Sequence, residues 1–197
     1  MKKSSSILIF SLLIIIGVYY LYFSVRNIDN TFIFDGVIYF LLILLFIVFY
    51  IITFRNDFKT FKVLKNYKSF LFTAIGSLII ILNIGCHLYL SSRDNSEVVL
   101  KAFYDGDYNG SSLEFRKDGT YKFGNGSGLG VSIQRGYYSM NDSIITLDKD
   151  DIDKVIESKT LVIRSKLSGT DVKILQIDKN FNLIAKATEF RVVQDKR

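Results

Sequence analysis

Three stretches in the first 90 residues, about Ile7–Phe23, Phe32–Phe54 and Ser69–Leu90, are almost wholly apolar and contain no Lys or Arg. A helix needs about 20 such residues to cross a hydrocarbon core about 30 Å thick. Each stretch is close to that length, so residues 1–90 are predicted to form three transmembrane helices. The first stretch ends Tyr19-Tyr20-Leu21-Tyr22-Phe23 and offers no small-x-small cleavage site. It therefore reads as a retained span with an interfacial tyrosine belt rather than a signal peptide.

Charge is divided unevenly along the chain. The net charge of +6 invites a nucleic-acid reading. Residues 1–90 hold 8 basic and 3 acidic side chains, whereas residues 91–197 hold 17 and 16. The excess thus belongs to the membrane half, and five of its cations lie in Arg55–Lys68. A surface for a nucleic-acid polymer would place it on the other half. Positive residues beside spans tend to stay in the cytoplasm. That rule puts Lys2, Lys3 and the 55–68 connector inside a bacterial cell membrane, with residues 24–31 and 91–197 outside. Asp35, Asn83 and His87 are polar residues within the spans. Asp35 and His87 fall at similar depth in an antiparallel helix pair, so a hydrogen bond between them is one reading, a proton-sensitive latch. The preferred reading is a solvated interfacial pair.

After Ser91 the apolar residues alternate over short distances. Strands are predicted at Val98–Tyr104, Ser112–Arg116, Thr120–Phe123, Val131–Met140, Ser143–Leu147, Thr160–Arg164, Val172–Ile177 and Leu183–Val193. Turn dipeptides such as Asp105-Gly106, Asp118-Gly119 and Ser168-Gly169 separate them. Asp150–Ser158 reads as a short helix with an acidic start. Eight short strands point to an all-β domain, an antiparallel meander closed as a small barrel; a sandwich is the alternative.

The chemistry-bearing residues of this half are few. It has no His, and the single cysteine, Cys86, lies in the third apolar stretch. A Cys/His zinc site or a Ser-His-Asp triad cannot be built from it. No enzyme activity and no cofactor are therefore expected. Asp105, Asp107 and Asn109 match the start of a calcium loop, but Arg116 stands where its last carboxylate belongs, so a hairpin turn is the competing reading. Gly124–Gly130 is glycine-rich and suits a hairpin loop or a ligand lid. Tyr121, Phe123, Arg135, Tyr137, Arg164 and Arg191 lie on strands. Lining a barrel interior, they would suit a planar anion through stacking and bidentate hydrogen bonds. The alternative is ordinary core aromatics with surface arginines.

The run Leu113-Glu114-Phe115-Arg116-Lys117-Asp118-Gly119-Thr120-Tyr121, with Arg135-Gly136-Tyr137-Tyr138 and Asp142-Ser143-Ile144-Ile145-Thr146-Leu147, resembles the hairpins of bacterial lipocalin-like domains. The layout of short spans followed by a minimal barrel resembles one class of CBASS antiphage effectors. That resemblance implies a barrel that binds a cyclic nucleotide and spans that assemble as a homo-oligomer and breach the inner membrane. It requires a cytoplasmic barrel, whereas the charge rule places the barrel outside. The alternative is an extracytoplasmic, membrane-anchored binding or toxin-immunity protein.

Overall fold

The computed structural model describes residues 3–165 and 171–197. Lys2 and the turn expected at Ser168-Gly169 lie outside the described residues. The chain divides into two bodies: residues 1–28 with 32–93, and residues 29–31 with 94–197.

The first body is helical. It comprises α1 (Lys3–Asn27), α2 (Asp35–Leu64) and α3 (Leu71–Ser92), the last preceded by a 3-10 turn at Tyr67–Phe70. All three helices are long and apolar enough to cross a membrane. Large apolar side chains such as Phe40 (65% exposed) and Leu88 (64%) point away from the bundle, as suits a lipid surround. At ~1.5 Å per residue α2 is about 45 Å long, so it outruns the hydrocarbon. It continues through most of the basic segment, which the sequence reading took for a connector. That segment contains neither Gly nor Pro, and nothing stops the helix until Lys65 turns left-handed at φ 54°. The helices close on small residues. A Cβ on Gly17 would come within 2.6 Å of Ile79 and 2.8 Å of Phe46, and Leu13 is fully buried against Gly76. Phe10 stacks on Phe72 with ring centres 4.2 Å apart.

The second body is a closed, eight-stranded antiparallel barrel with one added strand. Its staves are β2 (Val98–Asp105), β3 (Asn109–Arg116), β4 (Thr120–Ser127), β5 (Gly130–Asn141), β6 (Ile144–Leu147), β7 (Thr160–Ser165), β8 (Val172–Ile177) and β9 (Phe190–Asp195). Each pairs with its neighbour in sequence, and β9 closes on β2. The added strand, β1 (Asn30–Phe32), lies along β5. Asp29 O accepts a hydrogen bond from Ile133 N at 2.6 Å, while Tyr138–Asn141 of the same strand pair with β6. β5 thus changes partner midway, and β1 covers the edge that β6 leaves open.

Alternate residues point inward. Leu100, Leu113, Phe115, Phe123, Ile145, Leu161, Ile174 and Phe190 are fully buried and fill the interior. The segment expected as a helix at 150–158 is instead a run of turns, with Asp151, Asp153 and Lys154 all at positive φ. Those angles are incompatible with a right-handed helix. Ile152 and Ile156 bridge to each other there and enter the core from one end. The last strand begins at Phe190 rather than Leu183. Leu183 makes only an isolated bridge to Ile177, and Phe181 and Lys186 take left-handed turns between. The glycine-rich stretch is mostly strand: β4 runs to Ser127 and β5 starts at Gly130, leaving Gly128-Leu129 as the turn.

Candidate functional site

The most fully built polar cluster in the barrel body centres on Arg135. Its register row across the outer face runs Lys101, Glu114, Lys122, Arg135. Asp94 follows α3 by two residues and accepts from Arg135 Nε at 3.0 Å, from Arg135 Nη2 at 2.9 Å and from Lys122 Nζ at 2.8 Å. Asp29, two residues after α1, bonds the remaining Nη1. Buried Arg116 adds bonds to the carbonyls of Asp94 and Ser96 and to Glu114. The Arg135 guanidinium, helped by Lys122, holds the Asp94 carboxyl far below the usual carboxylate range, and Asp94 in turn raises Arg135. One guanidinium therefore fastens two chain segments, 65 positions apart in sequence, to one stretch of barrel wall.

Arg135 is thus an outward residue with its donors occupied, and it does not line a cavity inside the barrel. Tyr121 and Phe123 do point inward, as fully buried core. Burial first, and the Asp148 carboxylate second, push the Tyr121 phenol above its ordinary range. Tyr137 is 69% exposed on the outer face. Arg164 and Arg191 are also outward and exposed, and stand in one cross-strand row with Lys173 between them. The structure therefore brings together Arg164 with Arg191, and Tyr121 with Phe123, but does not gather all six around an internal ligand. Asp105, Asp107 and Asn109 form the β2–β3 turn, closed by Gly106 N to Asn109 O at 2.9 Å and the reverse bond at 3.1 Å. Among the described residues no group of three His, Cys, Asp or Glu side chains could hold a metal ion.

In the helical body, Asp35 turns back on its own helix start and accepts from Phe32 N at 2.6 Å, and the latch to His87 is not made. Asn83 donates to Ile79 O at 2.8 Å. With His87, Tyr20 and Phe46 it borders a mostly apolar cavity of about 290 Å³.

Two polar devices escaped the sequence reading. Asp57 is 6% exposed and accepts from Thr73 N at 2.9 Å and Thr73 Oγ1 at 2.8 Å. It caps α3 from a neighbouring helix, at the end where a negative charge meets the helix dipole. Ser77 continues this ladder by donating to Thr73 O and bonding Tyr50. In the barrel, buried Gln176 accepts from Glu157 N at 2.7 Å and donates to Val155 O at 2.8 Å. It therefore holds the Ile152–Ile156 plug in place. An acid within a basic run and a Gln within a strand were the signals for these two, but neither specifies its partner.

No family model, curated protein or solved structure matches the chain.

Proposed function

We propose that the protein is a membrane-anchored, non-catalytic binding protein whose barrel faces away from the cytoplasm. The observation that carries this reading is that residues 29–31 and 94–197 form one compact body. A body on one side of a bilayer can contain both segments only if the chain between them, α2 and α3, crosses and returns. The turn between those helices then lies on the opposite side. The basic segment 55–68, made of the last turns of α2 and the start of that connection, lies there too, and positive charge favours the cytoplasm. Because the barrel interior is filled by its own side chains, binding falls to the outer wall and the turns. A secreted toxin met at the cell surface is one partner of the kind such a module would take.

The test is single-cysteine labelling on a Cys86→Ala background with a membrane-impermeant maleimide, in intact cells. Cysteine at Lys117 should label and cysteine at Lys59 should not. The reverse result overturns the reading and favours a second one. In that reading a cytoplasmic barrel senses a small anion such as a cyclic nucleotide, and the spans assemble and permeabilise the membrane. Three spans joined to a minimal barrel support it.

A further inference from the structure

β7, β8 and β9 set three cations side by side on the outer wall. Arg164 is in register with Lys173, and Lys173 with Arg191. Phe103 of β2 extends the row beyond Arg191. Their chain neighbours Ile163, Ile174 and Phe190 are buried, so the row faces outward. Adjacent strands lie about 4.8 Å apart, which puts the three cations within about 10 Å. Like charges placed directly across a sheet are destabilising, so fold stability alone does not account for the row. Arg191 pairs with Asp171 at 3.0 Å and Lys173 with Glu189 at 2.7 Å, and both acids are about half exposed. The Arg164 side chain has no ion pair or hydrogen bond among the described residues. Lys186 likewise has none, and it borders the depression of about 520 Å³ that Phe103, Tyr104, Lys173 and Arg191 line, with Asp105 and Glu189 as its acids.

We propose that this row binds a phosphate-bearing polyanion. The inference rests on the barrel being a binding module and is independent of its sidedness. Guanidinium forks match phosphate oxygens two at a time, and a lysine between them adds a point charge. Exposed ion pairs are weak, so a phosphate exchanges readily for Asp171 or Glu189. An acidic peptide is the poorer fit. β7 to β9 are each paired on both sides and offer no edge for an added strand. The phosphate can come from a soluble oligophosphate or from lipid headgroups.

The full chain in phosphatidylcholine nanodiscs is titrated calorimetrically with inorganic tripolyphosphate. In a second arm it is mixed with phosphatidylglycerol vesicles and floated. Binding is expected in at least one arm and should weaken as salt rises. The double variant Arg164→Gln/Arg191→Gln should lose at least about tenfold in affinity. Lys173→Gln should weaken binding in the same arm. Lys117→Gln removes an exposed charge elsewhere on the barrel and should change affinity less than about twofold. Binding to tripolyphosphate alone assigns a soluble ligand, and binding to vesicles alone assigns lipid headgroups. No binding in either arm, or equal binding by the double variant, overturns the proposal. Maleimide labelling reports sidedness separately, so the two failures are distinguishable.

Discussion

Arg135 shows how much can rest on one side chain. Replacing it with Ala leaves two carboxylates, Asp29 and Asp94, facing each other without their shared cation. Removing one partner of a partly buried ion cluster should destabilise the barrel by about 2 kcal/mol. A thermal unfolding scan should show the loss, and Arg135→Lys should recover only part of it, because it lacks the fork. The depressed pKa of Asp94 also sets a pH dependence. Its contribution is complete above the ordinary carboxylate pKa of about 3.9. It is lost as pH falls below that value toward the depressed one. Asp94→Asn should therefore give a barrel less stable at neutral pH whose unfolding midpoint changes less between pH 5 and pH 2. A midpoint that drops as steeply as in the native chain would refute this. Gly136 is a second sensitive position. A Cβ there would meet Tyr121 Cε1 at 2.6 Å, and Tyr121, at 1% exposed, has no room to withdraw, whereas the exposed Asp148 carboxylate also in the way can swing aside. Gly136→Ala should cost about 1–3 kcal/mol by overpacking, read from the same scan.

Among the elements, β5 and β1 are coupled. The Ile133 amide is protected by a strand held down through Asp29, whereas the Ile163 amide bonds Ser143 O far from that clasp. In Arg135→Ala, hydrogen exchange at Ile133 should speed up by at least about tenfold and exchange at Ile163 far less. Equal acceleration at both would mean global loosening rather than release of β1. This pairing was also the least legible part of the chain. β1 is three exposed residues, Asn-Thr-Phe, with no alternation to detect. The transmembrane helices and most staves were readable because a 20-residue apolar run or a period of two survives any tertiary context. The interior–exterior assignment of β5 was not. Gln134 sits opposite buried Phe123, while Val131 and Ile133 take the other face. The strand's first half thus carries its apolar residues outward, and Arg135 goes with them. The plug at 150–158 misled for a related reason: Ile152, Val155 and Ile156 have helical spacing, but they reach the core through left-handed turns.

At the scale of the whole molecule, closure of the barrel depends on its most distant pairing. β2 and β9 meet across some ninety residues of chain, and Phe190, the first residue of β9, packs edge-on to core Phe123 of β4, with ring centres 6.4 Å apart. Phe190→Ala should cost about 3–5 kcal/mol. It should also lower the refolding rate if closure is rate-limiting, as contact order suggests. Stopped-flow refolding of the full chain in detergent would report both.

The entry of residues 29–31 into the barrel bears on how the barrel could be detached. Many membrane-anchored domains are released when a protease cuts the single stalk that joins them to the membrane. Here the barrel is attached twice, once by the covalent link after Arg93 and once by β1 and Asp29, which continue directly from the first helix. A cut engineered at residues 93–94 should leave the barrel in the membrane fraction under mild conditions. Only agents that break strand pairing should release it.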